Sequence, residues 1–330
     1  MTGIKILGTG CYLPDNIVSN DDFTRVIQTS DEWIRTRTGI TSRHIANGET
    51  AWYMGLQSAK QALECANITP LDLDLIIVTS VSSDYLTPSL ACIIQAELGA
   101  SKAVAFDVNA ACSGFVYAID VASKYLQSDQ YNHVLIVSTE ALSNIVDFTN
   151  RSTCVLFGDG AGSCVLTKSD GIFSSYIGSD GTGANAITCK NIHKNNNPFT
   201  TDSPIICKTF DENADGFLEM QGKEVYKFAI KAMPDCILKV CEQAGVSHHD
   251  INLIIPHQAN IRIMETAAKT LGLSMDEIYC NLDKYGNTSS ASIPIALDEL
   301  NKNGTIKPND LIVMVGFGAG LTFGATLLKW

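Results

Sequence analysis

The sequence predicts an α/β fold built from two related halves, and three observations carry that prediction. Residues 62–79, ALECANITPLDLDLIIVT, align without a gap on residues 240–257 at a constant offset of 178: a helix end, a turn, an aspartate at 72 and 250, then Leu-Ile-Ile at 75–77 and 253–255. Residues 155–166, VLFGDGAGSCVL, are echoed by residues 315–328, VGFGAGLTFGATLL, both glycine-bent segments between β-rich runs. Residues 285–291, YGNTSSA, place a bend and small residues after a strand and ahead of a helix, as residues 107–120 do in the first half. The halves are placed at 1–175 and 176–330.

The elements follow in order. Residues 4–7 read as a strand. Residues 31–40, DEWIRTRTGI, follow Thr29 and Ser30 and end at Gly39, which predicts a short helix and turn carrying Trp33, Arg35 and Arg37. A longer helix covers about 50–66. Residues 103–108 lead as a strand into the small-residue run Ala110, Ala111, Cys112, Ser113, Gly114. Helical spacing then takes over through Phe115, Ala118, Ile119 and Ala122. Residues 182–216 are poor in apolar periodicity and rich in Asn, Thr, Asp and Lys; they read as a functional insertion within the second half.

Composition narrows the function classes. With 330 residues and 45% hydrophobic content the chain can fill a sizeable core. A formal charge of −12 argues against nucleic acid or an acidic membrane surface as a general partner, so any acidic ligand must be held locally. The eleven cysteines contain no CxxC pair and no spacing that builds a zinc site with histidines, which points to a reduced, cytoplasmic chain. No leader segment and no apolar run of membrane-spanning length is visible, so a soluble protein is expected. The glycines of LIVMVGFGAG, residues 311–320, lack GxGxxG spacing and leave no room for a following βαβ unit, and FGDGAG lacks the Gly-Lys-Ser/Thr of a phosphate loop.

Three residues at bends or strand ends stand out as candidate chemistry. A cysteine at a helix N-terminus faces unpaired N–H groups and the positive end of the helix dipole, so Cys112 is expected as a thiolate nucleophile, the alternative being a small core cysteine. His257 follows the strand 253–255 and Pro256, a position where α/β sheets present functional groups. Asn287 follows Gly286 and would equally suit a plain turn.

DVNAACSGF, PHQANIR, YGNTSSAS and GFGAGLTFGA, with DEWIRTRTGI and FGDGAG, together resemble the hallmark segments of the β-ketoacyl-acyl-carrier-protein synthase III family of the thiolase superfamily, over essentially the whole chain. The resemblance implies a five-layered α-β-α-β-α thiolase fold, a homodimer, and a catalytic triad of Cys112, His257 and Asn287. It implies that Cys112 takes an acyl group from an acyl-CoA, with backbone N–H groups of Cys112 and Ala319 binding the tetrahedral oxyanion. Malonyl-acyl-carrier protein then loses CO2, its enolate oxygen bound by His257 and Asn287, and no metal or redox cofactor is needed.

Trp33, Arg37 and Arg151 are implied as contacts of the coenzyme A nucleotide and Asn260 as a contact nearer the pantetheine. Lys227, Arg262 and Lys269 are implied as carrier-protein docking residues. Thr87 stands where the family lines the acyl end of the pocket, and where acetyl-selective members tend to carry Phe, so a primer longer than acetyl is expected. Two rivals stay open: a same-fold acyltransferase or condensing enzyme of specialised metabolism, and a non-catalytic partner subunit, which the presence of all three triad residues disfavours.

Overall fold

The structure is a computed structural model describing residues 3–191 and 215–330. The first part of the chain forms β1 (Gly3–Tyr12), β2 (Ile17–Ser19), α1 (Asn20–Phe23), α2 (Asp31–Thr38), β3 (Ser42–His44), α3 (Ala51–Ala66), β4 (Leu75–Thr79), α4 (Leu90–Leu98), β5 (Val104–Val108), α5 (Gly114–Tyr125), β6 (Val134–Glu140) and β7 (Gly160–Ser169). The rest forms β8 (Phe173–Ser179), β9 (Ile187–Cys189), β10 (Leu218–Met220), α6 (Gly222–Ala244), β11 (Leu253–Pro256), α7 (Ile261–Leu271), α8 (Leu282–Tyr285), α9 (Ser292–Lys302), β12 (Leu311–Gly318) and β13 (Thr322–Lys329).

Two sheets organise these elements. The first runs β1-β7-β6-β4-β5 and the second β11-β12-β13-β8. Read from β4 outward, β4-β6-β7-β1 repeats as β11-β12-β13-β8, with the same parallel step from β4 to β6 and from β11 to β12 and antiparallel pairs beyond. Helices α5 and α9 lie between the sheets, α3 and α4 cover the outer face of the first, and α6 with α7 covers the second, giving five alternating layers. Every residue of β4 and of β6 is buried, as their continuous apolar runs require when helices cover both faces.

The 178-residue offset holds beyond the aligned segment. It carries α5 onto α9, each starting directly after a short 3-10 turn, Ala111–Ser113 and Ser289–Ala291.

Local differences from expectation have physical causes. The first strand is longer than residues 4–7, because a bulge between Ile6 and Gly8 lets pairing with β7 continue to Tyr12. The glycine-bent echo is only partly structural: β7 and β13 are counterparts, but residues 315–328 are the β12–β13 hairpin, whereas ahead of β7 residues 155–156 end a turn and Phe157 forms an isolated bridge with Asn287. No strand precedes Asn287. At the position of β5 stands α8, whose single buried residue, Leu282, is followed by the charged Asp283 and Lys284, so its apolar content cannot fill a strand covered on both sides. Of the expected insertion 182–216, the flanks form a 3-10 turn at Gly181–Ala186 and the β9–β10 ribbon; residues 192–214 lie outside the described residues.

Candidate active site

Cys112 sits in the 3-10 turn at the head of α5. The turn is made by Ala111 at φ +48°, with its N–H donating to Asn109 Oδ1 at 3.2 Å. Gly318, at the end of β12, packs directly against Cys112: a Cβ there would lie 2.8 Å from the Cys112 nitrogen and 3.0 Å from its Cβ. Only glycine lets the bend that carries Ala319 come this close. Thr322 ties the two pieces together, its Oγ1 lying 2.9 Å from the carbonyl oxygens of both Ala110 and Ala319 and 2.7 Å from Ser113 Oγ. A hydroxyl has one proton, so it is shared between the carbonyls while the Ser113 hydroxyl donates to Thr322.

The thiolate expectation needs correcting. Burial pushes the Cys112 thiol up to about 12; a Ser289 side-chain hydrogen bond opposes this and the Glu140 carboxylate adds to it. The turn does place Cys112 before a helix, but burial outweighs the contacts that lower its pKa. At neutral pH the resting group is therefore a thiol.

His257 follows β11 with its N–H donating to Val315 O at 2.8 Å, and it is 2% exposed. Burial drives its pKa down to about 3, so the ring is neutral, with Nδ1 2.7 Å from Ser292 Oγ and its plane edge-on to Phe317. Asn287 is pinned through its backbone, its N–H donating to Leu156 O and its carbonyl accepting from Gly158 N–H. Its Oδ1 accepts from Ser289 N–H at 2.9 Å, which leaves the side-chain NH2 as a donor.

Cys112, His257, Asn287, Asn260 and Ala319 all line one cavity of 550 Å³, within the range of small-molecule sites. Leu142, Phe157, Leu218 and Met220 give it apolar walls. It suits an acyl chain with one polar end.

Beside it lies a buried carboxylate. Glu140 accepts from Ser82 Oγ and Ser290 Oγ, both at 2.7 Å, and from Val81 N–H at 3.0 Å, while burial raises its pKa. It thereby anchors the Ser289–Ala291 turn, whose Ser289 side chain is buried and lines the cavity with Cys112.

Apart from Asn260, which reaches the cavity from the start of α7, the other expected residues lie outside this centre. Arg37 and Arg151 each stand 4.6 Å from the Trp33 ring centre, forming one exposed cationic and aromatic cluster on and beside α2. Asn260 caps α7 by accepting from Arg262 N–H and donates to Arg37 O, and Arg262 Nη2 donates to Thr36 O, so both hold α2 against α7. Lys227 is exposed but its ammonium pairs with Glu224 at 2.9 Å; Lys269 is exposed in the last turn of α7. Thr87 is exposed and does not line the cavity formed within a single chain.

Sequence reasoning missed Ser289, Ser292, Glu140 and Thr322. Serine and threonine carry no signal of a distant partner, and Glu140 shows itself only as a carboxylate ending an apolar strand.

Comparison with known proteins follows this geometry closely. The family described as 3-oxoacyl-[acyl-carrier-protein (ACP)] synthase III matches residues 106–181, and its C-terminal region matches residues 241–330. The β-ketoacyl-[acyl-carrier-protein] synthase III of Clostridium acetobutylicum is 47% identical, covering 100% of this chain and 99% of its own. This chain belongs to the β-ketoacyl-acyl-carrier-protein synthase III family. Crystal structures agree: the family member from Aquifex aeolicus VF5 superposes with a TM-score of 0.90 at 43% identity, covering 99% of this chain and 100% of its own. The priming β-ketosynthase of the R1128 polyketide pathway gives 0.88 at 35%, covering 99% and 96%. As a synthase III family member the chain is a condensing enzyme of the acyltransferase type with the thiolase-like fold.

Proposed function

We propose that this enzyme condenses an acyl-CoA primer with malonyl-acyl-carrier protein, with loss of CO2, to start fatty-acid chains. The observation that carries the reading is the convergence of Cys112, His257, Asn287 and Ala319 on one apolar-walled cavity. In the first half-reaction Cys112 Sγ attacks the thioester carbonyl as its proton passes to His257 Nε2. The oxyanion accepts from the N–H groups of Cys112 and Ala319, and the coenzyme A thiolate leaves with the proton. In the second, the bond to the malonyl carboxylate breaks, CO2 departs, and the electron pair moves into an enolate. Its oxygen accepts from His257 Nε2–H and the Asn287 NH2 group. The carbanion then attacks the acyl-Cys carbonyl, the C–S bond breaks, and the released thiolate takes up a proton from water.

Trp33, Arg37 and Arg151 would hold the coenzyme A nucleotide, and Lys227, Arg262 and Lys269 the acidic carrier protein, in the cytoplasm and without a metal or redox cofactor. A homodimer fits the free edge of the first sheet: β5 ends it, with Val104 exposed and Tyr85 and Leu86 exposed on the loop before α4. Thr87, on that loop, would reach an acyl pocket only from the second copy, and its small size favours primers longer than acetyl. The likeness to a priming β-ketosynthase supports a second reading, in which the same reaction starts a specialised metabolite.

Intact-mass measurement after incubation with acetyl- to dodecanoyl-CoA, followed by malonyl-carrier protein, tests this. The expected result is an acyl adduct on Cys112 that disappears as a β-ketoacyl-carrier protein forms. An adduct that never passes to the carrier protein would overturn condensation.

A further inference from the structure

Arg43, on β3, is 0% exposed, and its hydrogen-bond partners among the described residues are all neutral. Nη2 donates to Val155 O at 2.7 Å and to Asn20 Oδ1 at 2.9 Å, Nη1 donates to Val18 O at 3.1 Å, and the guanidinium carbon stands 4.7 Å from the Phe23 ring centre. Nε has no partner among those residues. Burial lowers the pKa to about 10, so the group is still a cation at neutral pH. A buried cation with no counter-ion and one idle N–H is costly, and an apolar side chain would carry neither penalty. Stability alone does not account for an arginine here.

What this side chain touches is the seat of Asn287. The carbonyl it holds belongs to the residue before Leu156, whose own carbonyl accepts from the Asn287 N–H at 2.9 Å. Gly158 N–H donates to Asn287 O at 3.0 Å, and Phe157 and Asn287 form an isolated parallel bridge. The Arg43 stem fits against both sides of that bridge. A Cβ on Gly158 would lie 3.0 Å from Arg43 Cβ, and one on Gly286, the residue before Asn287, 3.2 Å from it. Asp159 secures the far end of the segment, its N–H donating to His44 O at 2.8 Å and its carboxylate accepting from Ala46 N–H and from the Ser143 N–H and hydroxyl. Arg43 secures the near end, and its own guanidinium is steadied by Asn20, whose NH2 group donates to Asp31 Oδ1 and Ile40 O.

We propose that Arg43 is a positioning residue for Asn287: by holding residue 155 it fixes the segment to which Asn287 is bridged, and so the place of the Asn287 NH2 group in the cavity. This rests on the reaction proposed above, in which that group donates to the enolate oxygen and takes no part in Cys112 acylation. Loss of Arg43 is therefore felt in decarboxylation.

The test is a double-mutant cycle in the full-length protein with Arg43→Met, Asn287→Ala and the pair. Arg43→Met removes the guanidinium and keeps an unbranched stem, an exchange of buried charge for apolar chain that folds commonly survive. It is expected to slow 14CO2 release from labelled malonyl-carrier protein roughly 10-fold, to leave Cys112 acylation within a few-fold of wild type, and to cause no further loss once Asn287 is alanine. Hydrogen exchange without substrate is the second readout: peptides spanning 153–159 and 285–291 should quicken in Arg43→Met while those of β4 and β6 do not. Arg43→Lys, which keeps the cation, is expected to fall between wild type and Arg43→Met in both readouts, which preserves the reading should the methionine variant melt early. Equal slowing of both half-reactions, a loss that multiplies that of Asn287→Ala, or unchanged exchange at 285–291 would overturn the proposal. Local quickening in an enzyme that releases no CO2 supports Arg43's hold on Asn287 while sinking the proposed reaction, and decarboxylation with unaltered exchange does the reverse.

Discussion

Ala111 and Ser289, 178 residues apart, hold the same left-handed backbone conformation, with φ of +48° and +49°. The other non-glycine residues at positive φ among those described are asparagines, which adopt it readily. Each of the pair opens a 3-10 turn that feeds an internal helix. The residue after Ala111 is Cys112, the proposed nucleophile; the residue after Ser289 is Ser290, whose hydroxyl is held by Glu140. One bend is thus used once for chemistry and once as a brace beneath it.

The strain at Ala111 is separable from its side chain. Replacing it by glycine removes about 1–2 kcal/mol of left-handed strain, and a β-branched residue adds to it. Ala111→Gly is expected to keep or raise stability in urea melts, and Ala111→Val to lose roughly 1–3 kcal/mol together with acylation of Cys112. Equal stability of the two variants would show that the bend is not strained.

Burial also sets a pH signature. With the Cys112 thiol at about 12 instead of 9.0, its alkylation by iodoacetamide should still be rising about tenfold per pH unit near pH 9. A plateau near neutrality would mean a stabilised thiolate. The folded state holds this proton where the unfolded chain gives it up, so the stabilisation is present below 9.0 and lost as pH rises toward about 12. His257 acts at the other end. The unfolded ring takes a proton below 6.5 that the folded ring refuses until about 3, so stability falls as pH drops through that window, and His257→Gln should flatten the fall in melting temperature.

Thr322 should matter through its hydroxyl. Thr322→Val keeps the shape but leaves the Ala110 and Ala319 carbonyls without that donor, freeing the bend to drift from Cys112. We expect acylation to fall roughly 10-fold or more with KM for acyl-CoA nearly unchanged, and Thr322→Ser to recover most of it. Wild-type acylation in the Val variant would remove Thr322 from the account.

The comparison with the sequence follows from where each property originates. Strands β4 and β11 were legible because coverage on both faces leaves a continuous apolar run. Segments around Cys112, His257 and Asn287 were legible because close approach of backbones restricts them to small residues, as at Gly318. The protonation of Cys112 was not, since it is decided by burial and by Glu140 and Ser289, which lie far away in the chain. The short helix α8 was not, because its bend and small-residue sequel resemble the end of β5. Ser292 was not, because a serine's role depends on which groups meet its hydroxyl.

The division of labour within the triad is most directly tested by measuring the two half-reactions separately in Asn287→Ala: Cys112 acylation by intact mass, and release of 14CO2 from labelled malonyl-carrier protein. The account predicts acylation within a few-fold of wild type and decarboxylation reduced by roughly 10²-fold or more, as lost oxyanion donors give. Decarboxylation at the wild-type rate would contradict it.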